Sequence, residues 1–338
     1  MSRYTLKVTK VARPILVVHG GAGSYLKTTT EEQRRDRGSS LLQVARTGLN
    51  ALKGEGGKAG VLAAVAEMEK DPRFNAGYGS KLQKDGCVRV SASLMGGRDT
   101  RISSVYNVES CLHPSALAGI LQDYGDRNLD GLGAHALMES LGIEKCELRT
   151  PQTVGRWEYL IQSGENADSE AAIGDSGAKG AKLAAEAGIA MPEDLKTGLP
   201  DPENRYGTVG ALSLDSEGDL WACTSTGGRG HETPGRVSDS PTPAGNYACS
   251  KIAISATGFG EQILDLNICG RIATRVLDGL VLEEALRRSF EETLAHGGLL
   301  GVIALTANGE VGYAHSTEAC GVAWLDASGS QFIDPHGR

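Results

Sequence analysis

Two hairpin patterns in the C-terminal part of the chain constrain the fold most. Each has two short apolar runs around a glycine-containing turn: 209–214 with 220–225, and 301–305 with 311–315. Such pairs are typical of β-hairpins. Two helical patterns, roughly 262–276 and 282–295, lie between them. Strands, then helices, then strands predict a layered protein of sheets and helices.

The first hairpin also predicts a pair of neighbouring side chains. Its turn sequence, Asp-Ser-Glu-Gly, has Glu217 at its centre. Thr208 and Thr226 are equally far from Glu217 along the chain, so the two should face each other across the strands. Residues in such positions are within about 5.5 Å of each other. We therefore expect two hydroxyl groups to meet directly before the strand that begins at Val209.

Thr208 follows a glycine, Gly207, and this suggests a chemical role. A threonine hydroxyl is a weak nucleophile unless a base lies beside it. An N-terminal threonine carries such a base, because its free α-amine has a pKa of about 7.7–8.0. Cleavage of the Gly207–Thr208 bond would create that amine. Taken alone, Thr208 is also an ordinary β-branched strand residue.

Composition narrows the class of protein. The chain has 338 residues, which is enough for one large or two ordinary domains, and 40% of them are hydrophobic. With 5% aromatic residues and 46 glycines, we expect a compact, close-packed core. The net charge is −8 without a basic stripe, so we expect neither a nucleic-acid nor a membrane partner. Seven scattered cysteines without a C-x-x-C motif, and no signal peptide, indicate a reducing compartment and a cytoplasmic protein.

A compositional shift precedes Thr208. From about 164 to 207, Ala, Gly, Ser, Glu and Lys dominate, and few large apolar residues are available for burial. Such composition is typical of a flexible linker. The predicted linker ends at the bond that cleavage would open.

The segment His19-Gly-Gly-Ala-Gly23 has several interpretations. It follows a short apolar strand and could form an oxyanion loop of the α/β-hydrolase kind, a phosphate-binding turn, or simply a tight turn. The hydrolase hypothesis needs a G-x-S-x-G elbow. The nearest string, Gly174-Asp-Ser-Gly-Ala178, breaks that pattern and lies in the predicted linker.

Two further groups are candidates for substrate contacts. Arg236 and Asp239 follow a Pro-Gly turn. They are either a surface ion pair or a clamp for a zwitterion, with Arg on an α-carboxylate and Asp on an α-ammonium. Thr257 and Gly258 precede a helix, where backbone N–H groups could hold an oxyanion or form an ordinary helix entry.

Together these segments resemble the plant-type L-asparaginase/isoaspartyl peptidase family of N-terminal-nucleophile hydrolases. The resemblance runs nearly end to end, and the order and spacing of its motifs make it specific. The motifs are His19–Gly23, Phe74-Asn-Ala-Gly77, Gly207-Thr-Val-Gly210, Thr224-Ser-Thr-Gly-Gly228, Gly235-Arg236 with Asp239-Ser-Pro241, Thr257-Gly258 with Gly260, and Gly297-Gly298.

The resemblance implies an αββα sandwich of antiparallel sheets between helices, in one domain spanning 1–338. It implies that the precursor cleaves itself into an α subunit, 1–207, and a β subunit, 208–338, which pair as a homodimer of αβ units. Thr208 would then hydrolyse the side-chain amide of asparagine, or the isopeptide bond of β-aspartyl peptides. No catalytic cofactor is implied.

The family's functional residues carry over position by position. Thr208 is implied to be the nucleophile, Thr226 its support, and Asn75 a holder of the Thr208 amine. Thr257 and Gly258 are implied to form the oxyanion hole. Arg236, Asp239, Gly258 and Gly260 would bind substrate. A structural sodium ion is implied at the backbone carbonyls of Met68, Glu69, Asp71, Phe74, Ala76 and Tyr78.

The chain also departs from the family pattern. Acidic residues are replaced by Ser91 and Gly96, the 239–247 segment is one residue shorter, and Phe259 places an aromatic ring beside the oxyanion residues. These differences bear on substrate preference. Gly227 stands where the sister glycosylasparaginases have asparagine, which favours the asparaginase branch. The alternatives are a glycosylasparaginase-like amidase and an uncleaved, non-catalytic relative.

Overall fold

The computed structural model describes residues 4–23, 30–163 and 207–334. The predicted linker, apart from Gly207, lies outside these ranges. The described helices are α1 Glu31–Glu55, α2 Gly57–Lys70, α3 Pro114–Leu121, α4 Gly131–Ser140, α5 Pro151–Ser163, α6 Gly260–Leu266, α7 Ile268–Leu277 and α8 Leu282–Ala295, with a 3₁₀ turn at Gly77–Gly79.

The strands form two sheets. They are β1 Thr5–Lys10, β2 Ile15–Gly23, β3 Val90–Gly96, β4 Arg101–Val108, β5 Asn128–Leu129, β6 Val209–Leu214, β7 Leu220–Thr226, β8 Asn246–Ala248, β9 Ile252–Gly258, β10 Leu300–Thr306, β11 Glu310–His315, β12 Ala319–Asp326 and β13 Gln331–Asp334. Within the described residues, the larger sheet has the order β13-β12-β2-β6-β7-β3-β4-β5 and the smaller one β1-β11-β10-β9-β8.

The sheets pack face to face between two layers of helices. Strand β2 shows why its sequence is continuously apolar. Leu16 and Val18 belong to a cluster with α1 and α2, whereas Ile15 and Val17 belong to a cluster with the smaller sheet. On the far side of the smaller sheet, α7 and α8 cover β9 and β10. A strand buried on both faces needs no polar alternation. The predicted αββα sandwich is confirmed.

The predicted hairpins are confirmed in register. Strands β6 and β7 pair as Val209 with Ser225 and Gly210 with Thr224, the register in which Thr208 faces Thr226. Strands β10 and β11 form the second hairpin. One strand pair departs from the antiparallel expectation, because β4 and β5 run parallel through a short two-residue ladder.

Two local predictions were wrong. The segment 19–23 is the end of β2 and not a turn, because β12 pairs along it and β6 pairs with it at His19. The helix predicted over 262–276 is two helices, α6 and α7. Asn267 separates them with φ 45° and ψ 50°, a left-handed conformation that asparagine tolerates and that ends a helix.

Within the described residues, no helix is both long enough and apolar enough to cross a lipid bilayer.

The crossing of α1 and α2 over β2 generates a stability prediction. A Cβ added at Gly48 would collide with the Leu16 side chain and lie 2.9 Å from both the Ala64 Cβ and the Gly60 carbonyl oxygen. We expect Gly48→Ala to lower the free energy of unfolding by about 1–3 kcal/mol, as overpacked cores do. Urea denaturation would measure this.

Gly54→Ala, on the same helix, is the matched control. No atom lies within 4 Å of a Cβ built there, so alanine should raise stability by about 0.5–1 kcal/mol. Equal effects of the two substitutions would contradict the close packing at Gly48.

Candidate active site

Thr208 lies directly before β6 at the start of the central hairpin. Its Oγ1 donates a hydrogen bond to Thr226 Oγ1 over 3.2 Å, and Thr226 Oγ1 also accepts the Gly228 N–H at 3.2 Å. Both threonines are buried. The structure therefore brings together the hydroxyl pair that the hairpin register predicts, and a backbone amide orients the supporting hydroxyl.

A second hydroxyl contacts Thr208. Ser240 Oγ lies 3.2 Å from Thr208 Oγ1. The Ser240 carbonyl accepts a 2.6 Å hydrogen bond from Ser93 on β3, which fixes the loop that carries Ser240 against the larger sheet. Thr208 Oγ1 thus has a polar neighbour on each side, one from the hairpin and one from this loop.

The bond before Thr208 lies against the end of β2. Gly21 has φ 109°, and a Cβ added to it would lie 2.8 Å from Gly207 Cα. Any larger residue at this position would meet both backbone strain and a clash. The His19–Gly23 segment therefore gives the Gly207–Thr208 bond close backbone packing, which its glycines make possible.

His19, the first residue of the His19–Gly23 segment, makes buried polar contacts near the site. His19 is fully buried, and burial lowers the pKa of its imidazole to about 3, so the ring is neutral. Its Nε2 lies 2.8 Å from Ser255 Oγ, which lies 2.7 Å from Thr224 Oγ1 on β7. These buried, hydrogen-bonded side chains link β2, β9 and β7.

Arg236 enters the same pocket as Thr208 and is held by an acidic residue. Its Nε donates to Glu261 Oε1 at 2.8 Å and its Nη2 to Glu261 Oε2 at 3.0 Å. A bidentate pair of this kind fixes the plane and direction of the guanidinium. The arginine is therefore preorganised at the pocket and not a mobile surface side chain.

Asp239 lines the pocket beside Arg236. Burial raises the pKa of the Asp239 carboxyl to about 7, and the charge of Arg236 opposes that rise. Its Oδ2 is buried without a hydrogen-bond partner. A buried acceptor in this state is a group that a cationic ligand would satisfy.

Gly260 leaves space for this pair of charges. A Cβ at Gly260 would collide with Arg236 Nη2 and approach Asp239 Oδ1 to 2.8 Å. Gly258 also lines the pocket, at the end of β9. Thr257 is buried, and its Oγ1 accepts the Ala22 N–H at 3.2 Å. The oxyanion role of Thr257 and Gly258 stays a prediction.

Asn75 supports the pocket floor. Its side-chain Nδ2 donates to the Gly228 carbonyl at 2.6 Å, and its backbone carbonyl accepts the Gly227 N–H at 2.9 Å. These two hydrogen bonds join the Thr226–Gly228 segment to the 74–77 loop. That Asn75 also holds the Thr208 amine stays a prediction.

The chain is similar in sequence to a known family and to several of its curated members. The family model described as asparaginase matches residues 12–333. The chain belongs to this family. It is 36% identical over 323 residues to the isoaspartyl peptidase/L-asparaginase of a Nostoc species, covering 93% of this chain and 92% of that one. It is 34% identical to the Bos taurus isoaspartyl peptidase/L-asparaginase, covering 88% of each chain.

A third relative is the isoaspartyl peptidase of Escherichia coli. It is 30% identical over 321 residues, covering 93% of each chain. These matches confirm the predicted resemblance to the asparaginase family across nearly the whole sequence.

Three residues that contact the site in this structure were not predicted from the sequence. Ser240 lies inside a motif that was recognised, but its contact with Thr208 depends on loop geometry. Glu261 is one residue beyond Gly260, and its partner Arg236 is distant in sequence. Arg229 directly follows the Thr224–Gly228 motif and also lines the pocket. Of the three, only Arg229 had a signal in the sequence, because it lies directly beside a glycine-rich motif.

The state of Asp239 predicts how ligand binding depends on pH. Below about pH 7 its carboxyl is largely protonated and cannot pair with an α-ammonium. We expect the affinity of the protein for L-aspartate to fall as pH decreases, approaching tenfold per unit below about pH 7. Titration calorimetry between pH 5.5 and 8 would measure this.

Asp239→Asn is the control for that titration. It should bind L-aspartate weakly and with little change over the same range. A constant wild-type affinity from pH 5.5 to 8 would show that Asp239 does not carry the ammonium contact.

Proposed function

We propose that this protein is a self-processing amidohydrolase that hydrolyses the side-chain amide of L-asparagine and the isopeptide bond of β-aspartyl peptides. The observation that carries the proposal is the hydrogen bond between Thr208 Oγ1 and Thr226 Oγ1 in a pocket shared with Arg236 and Asp239. The names of its relatives, isoaspartyl peptidase and L-asparaginase, support the same substrates.

The first step is cleavage of the chain. Thr208 Oγ1 attacks the Gly207 carbonyl carbon, a C–O bond forms, and the Gly207–Thr208 C–N bond breaks. The hydroxyl proton goes to the departing nitrogen. Water then hydrolyses the resulting ester and releases residues 208–338 with a free α-amine. The close packing of Gly21 on Gly207 supports this step, because it restricts the backbone around the reacting bond.

Turnover uses the amine that cleavage creates. The neutral α-amine of Thr208 accepts the proton from Oγ1 as Oγ1 attacks the substrate amide carbon. Thr257 and the Gly258 N–H would stabilise the oxyanion. Ammonia or the amine of a peptide leaves after it receives that proton. Water then hydrolyses the β-aspartyl ester and releases L-aspartate.

The clamp orients the aspartyl part of the substrate. Arg236, held in plane by Glu261, would bind the α-carboxylate, and Asp239 would bind the α-ammonium with the Gly260 carbonyl. Oriented binding of a small zwitterion places its side-chain amide carbon at Thr208. Both charged groups would contact substituents of the substrate α-carbon, so this part of the binding is the same for asparagine and for β-aspartyl peptides.

The loop after α2 would hold a structural sodium ion through backbone carbonyls. The loop turns so tightly that a Cβ at Gly77 would collide with the Glu69 carbonyl oxygen. A Cβ at Gly79 would collide with the Phe74 carbonyl oxygen. The side chain of Glu69 is occupied by Ser225 Oγ at 2.7 Å and Ser115 Oγ at 2.8 Å. The ion would therefore bind the backbone carbonyl oxygens of 68, 69, 71, 74, 76 and 78, of which those of 71, 74 and 76 also accept a backbone N–H.

We further propose that the processed protein is cytoplasmic and assembles as a homodimer of αβ units. All seven cysteines are free thiols, which supports a reducing compartment. The dimer is proposed from the family resemblance.

Self-processing can be tested on the purified protein. Purified wild-type protein should separate into two fragments on a denaturing gel, and Edman sequencing of the smaller one should begin at Thr208. Thr208→Ala removes the attacking hydroxyl and should stay a single chain. Thr208→Ser keeps the hydroxyl and should still be cleaved. An intact wild-type chain after long incubation would contradict self-processing.

The substrate range can be tested with three amides. Wild-type protein should release aspartate from asparagine and from β-aspartyl-leucine, and Asp239→Asn should reduce both values of kcat/KM by at least about tenfold, as loss of a buried ionic contact does. Release of aspartate from asparagine-linked sugar, but from neither of the other substrates, would favour the glycosylasparaginase alternative.

A further inference from the structure

A second arginine lies in the pocket with the clamp. Arg229 lines the same cavity as Thr208, Thr226, Arg236 and Asp239. It follows directly on Gly228, whose amide hydrogen-bonds Thr226, so its backbone is fixed to the nucleophile's support. Its side chain is 14% exposed. Neither the zwitterion clamp nor the two hydrolytic steps needs this second cation.

Two neighbours hold the Arg229 guanidinium in the pocket. Its Cζ lies 5.2 Å from the centre of the Phe259 ring, a cation–π distance. Its Nη1 lies 3.6 Å from Glu261 Oε2, the oxygen that accepts Arg236 Nη2 at 3.0 Å. Phe259 is one of the positions where this chain departs from the family pattern. The Phe259 ring therefore makes a cation–π contact with Arg229.

Glu261 contacts Arg236 and Arg229 differently. Glu261 makes its bidentate pair with Arg236 and only a longer contact with Arg229. Arg236 lies against Gly260 and Asp239, where the aspartyl part of a substrate would bind. Arg229 contacts the Phe259 ring instead. The pocket therefore offers one guanidinium to the α-carboxylate and a second to another part of the substrate.

The chemistry of an isoaspartyl dipeptide provides a second anion for that position. Its leaving residue carries a free C-terminal carboxylate, and a single α-carbon separates this carboxylate from the scissile nitrogen. Asparagine has no such group, because its leaving group is ammonia. A guanidinium binds a carboxylate through two parallel hydrogen bonds, which gives direction as well as strength.

We propose that Arg229, held by Phe259 and Glu261, is a specificity-determining residue that binds the C-terminal carboxylate of the leaving residue. The protein is then tuned to β-aspartyl dipeptides over asparagine. This inference rests on the proposed hydrolytic function of the Thr208 site and names the substrate class that the site prefers.

The test compares three substrates that differ only in the leaving group: β-aspartyl-leucine, β-aspartyl-leucinamide and asparagine. Amidation removes the carboxylate and keeps the rest of the dipeptide. Wild-type kcat/KM should be about tenfold to a hundredfold higher for the acid than for the amide, the range for a hydrogen bond to a charged group. The difference should lie mainly in KM, because the contact forms in the ground state.

Arg229→Met should remove the preference for the acid over the amide. The fall in kcat/KM should be at least about tenfold larger for the acid than for the amide or for asparagine. Arg229→Lys keeps the charge and should restore part of the preference, and Phe259→Leu should weaken it. Arg288→Met, which changes an exposed arginine on α8, is the matched control and should leave all three substrates unchanged.

Several outcomes would overturn the inference. A wild-type protein that hydrolyses acid and amide equally well retains the proposed function but does not use Arg229 in this way. Equal losses on all three substrates in Arg229→Met would place Arg229 on the aspartyl moiety. If Arg229→Met fails to process itself, the wild-type comparison and Arg229→Lys decide. Failure of the wild type on every substrate would instead contradict the proposed function.

Discussion

The register of the β6–β7 hairpin is the constraint on which the rest of the site depends. Asp215 Oδ1 accepts the Glu217 N–H at 3.0 Å and the Asp219 N–H at 2.8 Å, which fixes the turn. A slip of one residue would exchange the two faces of the strand and place a serine or glycine opposite Thr208. The pairing of the two threonines is thus decided at the opposite end of the hairpin.

The second determinant of the site is its set of partly or fully buried charged side chains. Glu261 orients one arginine closely and a second more loosely, while Asp239 is left with an unsatisfied oxygen. Buried charges are stable when they are paired, and an incomplete set is a binding site for a ligand that completes it. This arrangement fits the zwitterionic substrate proposed for the pocket, and the surrounding glycines provide space that side chains would fill.

Sequence patterns predicted what depends on local periodicity. The two hairpins, the register of Thr208 with Thr226, and α8 follow from apolar runs and turn residues. The His19–Gly23 segment was misjudged because its glycines suggest a turn, whereas β12 and β6 hold it as a strand. The break at Asn267 is a single left-handed residue inside an otherwise apolar helical pattern. The contacts of Arg229 and Ser240 join segments distant in sequence, which periodicity does not encode.

The strand order has a consequence for a chain cut between Gly207 and Thr208. In the larger sheet, β2 of the first segment lies between β12 and β6 of the second, and β7 of the second pairs with β3 of the first. In the smaller sheet, β1 pairs with β11. The two fragments would be interdigitated, so neither has a complete sheet without the other. They would behave as one cooperative unit, joined by backbone ladders and shared cores after the covalent link is lost.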